Sequence, residues 1–207
     1  MVNEKGFSLI EMLVATALFS MVMIVGVGAL VSIIDANRKA QSLQSVINNL
    51  NFAVEQMSRT VRTGSQYRCQ NNSNPPNLSQ IQNTRDCNTG AFFAFEEYGG
   101  DVTDGADQAA YRFIEEGTGP PSTRQGRLER CTSNCDNVAN YVPVTAPEVD
   151  IDYFAFHVRG SGINTTGPEA NQQARVTFVI VGTAGDTARI RTNFNLQSTV
   201  TQRRLDL

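Results

Sequence analysis

The residue with the clearest chemical demand is Glu11, an acidic side chain inside an apolar stretch. Phe7, Leu9 and Ile10 lie close before it, and no charged residue follows until Asp35. A carboxylate at the centre of a membrane helix costs about 2.5–3.5 kcal/mol, less near an edge, and it needs a cationic partner. No Lys or Arg lies within the next helical turn. We therefore expect Glu11 to pair with an amine that comes from another chain or from cleavage of the residues before it.

Four cysteines form the second group with possible chemistry. They are Cys69, Cys87, Cys131 and Cys135, and they allow three disulfide pairings. We expect the sequence-local pairs, Cys69–Cys87 and Cys131–Cys135. A four-cysteine zinc site is the rival interpretation, but such sites usually bring two close pairs and this chain has one; free thiols are the third. Disulfides would require an oxidising compartment and would agree with export of this part of the chain.

The remaining residues give no catalytic pattern. The only histidine, His157, lies in a strand-like run, where it is expected to pack or face water, and a multi-histidine metal site is excluded. Glu96-Glu97 and Glu115-Glu116 are adjacent pairs that should face opposite sides of a strand. Segment 101–107 resembles a calcium loop only loosely, without the D-x-D-x-D-G spacing or the later Glu, so a solvated turn is predicted. We expect no enzyme, no catalytic residue, no cofactor and no metal.

Charge and composition exclude other classes. The 207 residues carry 17 Lys and Arg against 20 Asp and Glu, a net charge of -3. A nucleic-acid-binding protein would show a basic face, so direct nucleic-acid binding is not expected. Polar, glycine-containing loops and scattered aromatic residues exclude collagen-like and wholly disordered chains.

The apolar stretch that contains Glu11 is long enough to cross a membrane. Met12–Ile34 is uncharged, and a helix of about 23 residues spans about 35 Å, more than the ~30 Å hydrocarbon core. A cleaved secretory signal fits poorly, because its apolar part is shorter and ends at a small-residue site. The sequence therefore predicts a single membrane helix. Gly26 and Gly28 within it could allow local stretching or close helix packing.

The helix is predicted to continue beyond the membrane. Apolar residues recur every three or four positions from Ala36 through Leu43, Leu50 and Met57 to Val61, which indicates an amphipathic helix. No Pro or Gly interrupts 31–63, and Gly64 is a plausible stop. We expect the apolar stripe to cover the protein's own sheet, with a coiled-coil stalk as the alternative.

The rest of the chain predicts an antiparallel sheet. Segment 67–90 is rich in Asn, Gln, Ser and Pro and indicates a long loop. Short β-rich runs bounded by Gly, Pro, Asn or Asp follow at 91–95, 110–114, 126–131, 141–144, 149–158, 174–181 and 188–201. Residues 111–114 and 127–130 are expected to pair as a hairpin. The fold class is therefore α+β, a long N-terminal helix packed on a C-terminal antiparallel β-sheet.

The segment Lys5-Gly6-Phe7-Ser8-Leu9-Ile10-Glu11 resembles the class III signal of type IV pilins and type II secretion pseudopilins. The resemblance implies that a prepilin peptidase cuts between Gly6 and Phe7 and that Phe7 becomes N-methylated. It also implies that Glu11 sets the register of assembly by neutralising the N-terminal amine of a neighbouring subunit. The implied partners are other pilin or pseudopilin subunits, the peptidase, an inner-membrane assembly platform and the membrane itself. Many pilins have a proline in the apolar segment, where this chain has the two glycines.

Stretches of the C-terminal half are similar, more weakly, to PilW-like minor pilins and J-type pseudopilins. They are 142–145, 149–158, 176–181 and 194–200, together with the helix end at 57–62. The pilin-like fold that both resemblances imply has four parts. These are a prepilin leader (1–6), a transmembrane assembly helix (7–34), the amphipathic outer half of that helix (35–64) and a globular antiparallel β domain (65–207).

The combined expectation is a structural subunit of a type IV filament, a minor pilin or pseudopilin with a role in filament initiation or at the tip. It would be a single-pass protein of the cell membrane, with its C-terminal domain outside the cytoplasm and, after assembly, in a surface or periplasm-spanning filament. A major or competence pilin is one alternative. A signal-anchored surface adhesin or enzyme is the alternative of another class.

Overall fold

A computed structural model describes residues 6–76, 83–101, 103–117, 125–147, 149–161, 172–184 and 191–203. The chain divides into two compact units, Met1–Gln41 and Ser42–Leu207. One continuous helix, α1 (Leu9–Thr63), contributes to both units. The absence of Pro and of any charge between Glu11 and Asp35 suits an uninterrupted helix in an apolar medium, and the predicted long helix is confirmed.

The first unit contains the apolar part of α1. Its apolar window is long enough to cross a membrane by length and composition, and none of that window is buried in the structure. Leu18, Met21, Val22 and Ile24 are all at least 60% exposed. Large apolar surfaces in contact with water are unfavourable, so this segment requires a lipid or protein environment outside the isolated chain.

Among the described residues, the second unit contains nine strands in two antiparallel sheets. The strands are β1 (Ser65–Gln70), β2 (Cys87–Gly90), β3 (Phe92–Glu96), β4 (Ala109–Glu116), β5 (Gln125–Cys131), β6 (Val142–Pro143), β7 (Val149–Arg159), β8 (Arg175–Ala184) and β9 (Thr192–Thr201). One sheet has the order β1-β3-β4-β5-β6, and the other has the order β2-β7-β8-β9. The α+β class is confirmed, and the strands divide between two sheets where the sequence analysis described one.

The predicted strands agree with the structure, whereas the predicted loop is wrong at both ends. The seven predicted runs correspond to β3 through β9, and the β4–β5 hairpin has Tyr111 opposite Arg130 and Ile114 opposite Arg127, as expected. The prediction of a loop at 67–90 was wrong at both ends, where β1 and β2 lie. β1 pairs with β3 and β2 pairs with β7, so these polar segments are held by distant strands rather than by their own pattern. Residues 77–82 and 188–190 lie outside the described part of the chain.

The outer part of α1 packs on the sheets as the apolar stripe predicts. Its buried residues are Val46, Leu50, Ala53, Met57 and Val61. They share one core with Phe93, Phe95, Tyr111 and Phe156 from both sheets. The Tyr67 hydroxyl donates to the Val61 carbonyl, and the Ala146 N–H donates to the Asn49 side chain at 3.2 Å. The helix end is therefore fixed to the second unit by apolar packing and by hydrogen bonds.

Candidate functional site

The N-terminal residues singled out by the sequence lie at the start of α1. Gly6, Phe7 and Ser8 precede the helix, and Glu11 lies in its first turn. The Ser8 carbonyl accepts hydrogen bonds from the N–H groups of Glu11 (3.1 Å) and Met12 (3.2 Å), which starts the helical ladder. A carboxylate in the first turn interacts favourably with the helix dipole. The backbone therefore favours an acid at this position before any partner is considered.

Glu11 is the one side chain of the apolar segment whose polar group is left without a partner among the described residues. The hydroxyl of Thr16 donates to the Met12 carbonyl, that of Ser20 to Thr16 and that of Ser32 to Gly28, all within the helix. These bonds remove the need for an external partner in lipid. Glu11 is exposed and takes part in no such bond. In a membrane, its charge would require compensation from outside the described chain.

The surroundings of Gly6 and Phe7 are open. A methyl group added at Gly6 would meet nothing within 4 Å, and the Phe7 side chain is 78% exposed. Neither residue contributes to packing of the described chain, so the fold itself does not require a glycine followed by a phenylalanine here. The same open space surrounds Gly26 and Gly28, and the helix is unbroken at both.

The four cysteines form two disulfides in the second unit. Cys69 is joined to Cys87 and Cys131 to Cys135, with Cα–Cα distances of 5.6 Å in both. The first bond links β1, from one sheet, to β2, from the other. It lies against Gly90, where an added Cβ would come within 2.2 Å of the Cys69 sulfur. The second bond closes the turn after β5. Both pairs are structural cross-links that leave no thiol for metal binding or redox chemistry.

The other sequence candidates are dispersed. His157 is half-buried in β7 opposite Thr177. Glu97 forms an ion pair with Arg130 at 2.7 Å. Its neighbour Glu96 is buried, while Glu115 and Glu116 are exposed at the end of β4. No two of these acids are brought together as a general acid and base.

A buried charge network between β4 and β5 was missed in the sequence analysis. The Arg112 guanidinium donates to the Glu129 carboxylate at 2.7 Å, and Arg127 donates to the other oxygen of Glu129, also at 2.7 Å. Arg112 also lies 4.0 Å from the centre of the Tyr141 ring. The predicted hairpin register already places residue 112 opposite residue 129, so the signal was present. The network stabilises the hairpin and holds no open site.

The 97–108 connection between β3 and β4 differs in part from the solvated turn that we predicted. Asp101 and Asp104 are exposed and accept backbone hydrogen bonds from Thr103 (2.9 Å) and Ala106 (2.9 Å) within the turn. Asp107, however, has a buried carboxyl oxygen. No sequence pattern predicted that the Asp107 carboxyl group is partly buried, because its burial depends on how the turn folds back on β3.

Comparison with known proteins yields one match. Residues 1–27 match the family model described as the prokaryotic N-terminal methylation motif. The matched segment contains Gly6, Phe7 and Glu11. No curated protein and no solved structure matches the chain significantly.

Proposed function

We propose that this chain, whose N-terminal methylation motif supports membership of the type IV pilin and pseudopilin family, is a minor subunit of a type IV filament. The motif implies peptidase processing and assembly with other pilin subunits. In the proposed sequence of events, prepilin peptidase cuts between Gly6 and Phe7, Phe7 is N-methylated, and the apolar helix enters the filament from the membrane. The subunit then acts in filament initiation or at the tip.

The main support for this proposal is Glu11. Its carboxylate has no partner among the described residues, whereas the hydroxyl groups of the same apolar segment form hydrogen bonds within the helix. Holding a carboxylate in lipid costs about 2.5–3.5 kcal/mol at the centre and less near an edge. Two opposite unit charges about 4 Å apart attract by about 4 kcal/mol at an effective dielectric constant of 20. A cationic partner in the membrane would therefore offset the free-energy cost of placing the Glu11 carboxylate in lipid. It would do so only at the one register of neighbouring helices that brings the two charges together.

Cleavage before Phe7 would create that cation. In the precursor the Phe7 nitrogen is an uncharged amide, whereas after cleavage it is an amine, which stays basic when methylated. The open space at Gly6 and the exposure of Phe7 leave the peptide bond accessible to a membrane protease. We propose that the amine of one subunit neutralises Glu11 of its neighbour, so that assembly depends on processing.

The proposed orientation places the N-terminus in the cytoplasm and the second unit outside it. The two disulfides support this orientation, because such bonds persist in oxidising compartments. The inner-membrane assembly platform would then receive the apolar helix, while the sheets project from the membrane. Catalysis has no part in this proposal.

The test is co-expression of the full chain with and without a prepilin peptidase, followed by intact-mass measurement and N-terminal sequencing. The expected product lacks Met1–Gly6, begins at Phe7 and carries one additional methyl group. Gly6→Val is the matched control, since a Cβ added at Gly6 meets nothing within 4 Å, and a bulky side chain there should block cleavage without disturbing the fold. An active mature protein that still begins at Met1 would overturn the proposal. Abundance on purified filaments separates a minor from a major subunit.

A further inference from the structure

The last strand, β9, forms one edge of the sheet that has the order β2-β7-β8-β9. It pairs with β8 along its whole length without a register shift. Just beyond the strand, the Gln202 N–H donates to the Ala174 carbonyl at 2.9 Å, which fixes the phase of this ladder. Because hydrogen-bonded pairs alternate in an antiparallel ladder, the even-numbered residues of β9 direct their N–H and C=O groups towards β8. The odd-numbered residues direct theirs away from it.

The outward groups of β9 form an open row. Arg203, the next odd-numbered residue, confirms their direction, because its N–H donates to the Arg62 carbonyl at the end of α1 at 2.7 Å. Between 193 and 201, no backbone hydrogen bond joins this side of the strand to another described segment. We call this row the β9 edge, and its residues are Asn193, Asn195, Gln197, Thr199 and Thr201. At about 3.3 Å per residue the row is about 26 Å long.

The other three sheet edges in the described part of the chain are protected against pairing with a further strand. β1 is covered by Arg85, whose N–H donates to the Tyr67 carbonyl at 3.0 Å. β2 has four residues and a register shift against β7, and β6 has two residues, one of which is Pro143, without an N–H. β9 has ten residues, and none of them is charged, Pro or Gly. Since proteins protect long exposed edges by such features, their absence from β9 indicates that this edge has a partner.

The side chains of β9 define what a partner strand must offer. On the face towards the core, Val200 is buried, and Phe194 and Leu196 are half-buried against the same core. On the other face, the side chains of the β9 edge are exposed and are all Asn, Gln or Thr. A further strand would cover the exposed parts of Phe194 and Leu196 with apolar side chains at alternate positions. The edge therefore fits an uncharged strand with alternating apolar and polar residues.

We propose that the β9 edge pairs antiparallel with the β9 edge of a second copy of this chain. β9 itself has the required alternation, and its neutral side chains give no charge repulsion between the copies. A two-fold axis at Gln197 gives the longest overlap, which stops where the Arg203 N–H is already bonded to α1. The opposed residues are then Gln197 with Gln197, Asn195 with Thr199, and Asn193 with Thr201. In this register every N–H and C=O group of the β9 edge has a partner, and the two core faces are continuous.

The β9 edge lies in the second unit, so this proposal is independent of the processing proposed at the N-terminal motif. The experiment measures the mass of the full chain in detergent by sedimentation equilibrium from about 1 μM to about 1 mM, and a concentration-dependent change from one chain to two is expected. Amide exchange followed by NMR locates the contact. The N–H groups of Asn195, Gln197 and Thr199 should exchange at least about tenfold more slowly in the dimer, whereas that of Leu196, already in the β8 ladder, should change little.

A proline at position 197 removes one outward N–H and leaves the ladder with β8 intact. Gln197→Pro should therefore abolish the dimer. Gln197→Ala is the matched control, since it removes the same side chain but keeps the N–H, and it should dimerise as the unaltered chain does. Circular dichroism and thermal unfolding check that both variants are folded.

The register gives a second pair of variants that keeps every backbone group. Asn195→Lys combined with Thr199→Lys places like charges opposite each other and should weaken the dimer about tenfold, whereas Asn195→Lys combined with Thr199→Glu places opposite charges there and should not. An unaltered chain that stays monomeric over the whole concentration range would overturn the proposal. So would a dimer that is insensitive both to Gln197→Pro and to the sign of the charge at position 199.

Discussion

Three glutamates of this chain have three different surroundings. Glu129 is buried and receives two arginines within the same hairpin. Glu96 is equally buried and lies beside the side chains of Asp107 and Gln108. Glu11 is surrounded by apolar side chains of the same helix and has no partner in the described chain. The cost of an ionised carboxylate depends on its surroundings, and of these three glutamates Glu129 alone has its charge balanced by ion pairs among the described residues.

Replacing Glu11 tests the charge-pairing role of this residue. Glu11→Ala removes the carboxylate and its cost in lipid, so membrane insertion should be unimpaired, while incorporation into filaments should fall by at least about tenfold, a loss of only ~1.4 kcal/mol. Membrane fractionation and the amount of subunit in sheared filaments measure the two effects. Thr16→Ala is the control, since its hydroxyl is satisfied within the helix. Normal incorporation of Glu11→Ala would contradict the assigned role.

The buried pair Arg112–Glu129 gives a second prediction at the residue scale. Glu129→Ala leaves the Arg112 guanidinium buried without its carboxylate, and we expect the free energy of unfolding to fall by about 3–5 kcal/mol. Glu55→Ala breaks the exposed pair with Arg59, at 2.8 Å on the surface of α1, and should cost less than about 1 kcal/mol. Urea unfolding of the full chain in detergent measures both values. Equal losses in the two variants would show that burial does not govern these pairs.

At the scale of elements, periodic patterns predicted structure where one face is buried. The three- and four-residue spacing in α1 located Leu50, Met57 and Val61 on the buried stripe. The β-rich runs located seven strands for the same reason. β1 and β2 were not predicted from the sequence because they are held by pairing with β3 and β7 and by the Cys69–Cys87 bond. They show no local alternation of apolar and polar residues. A short polar strand has little signal of its own.

The candidate sites show the same difference between local sequence signals and contacts made by distant segments. Glu11 was found because its position is unusual relative to its immediate neighbours. The inward placement of Asp107 was not predicted, since it arises only when the connection between β3 and β4 folds back on β3. Arg112–Glu129 falls between these cases, because a correct hairpin register suffices to place the two residues opposite each other. Sequence therefore predicts sites within one element better than sites between elements.

The helix stripe gives a prediction at the element scale. Met57 is 1% exposed, whereas Phe52, on the same helix, is 63% exposed. Met57→Ala should destabilise the second unit by about 2–5 kcal/mol through lost contacts and a residual cavity. Phe52→Ala removes a larger side chain from the surface and should change the free energy of unfolding by no more than about 0.5 kcal/mol. Denaturant unfolding compares the two, and a larger effect of Phe52→Ala would contradict the packing described for α1.

At the scale of the whole molecule, the two units have opposite requirements. The first has an apolar surface and no core, so it depends on lipid or on neighbouring helices. The second has a core shared by α1 and both sheets and is cross-linked by two disulfides. These requirements are met in different media, a membrane and an oxidising aqueous compartment. The proposed membrane-anchored subunit with an exported second unit would satisfy both.

The disulfides provide the test at this scale, because only an exported second unit would acquire them. Full chain recovered after export should contain no alkylatable thiol, whereas chain retained in the cytoplasm should show four.

The Cys69–Cys87 bond closes a longer loop, with a sequence separation of 18 against 4 for Cys131–Cys135. By loop-closure entropy, its removal in a Cys69→Ala, Cys87→Ala variant should cost about 3 kcal/mol, and removal of the shorter bond about 2 kcal/mol. Four reactive thiols in exported chain would contradict the two disulfides, and an inverted order of stability would show that loop closure does not govern these bonds.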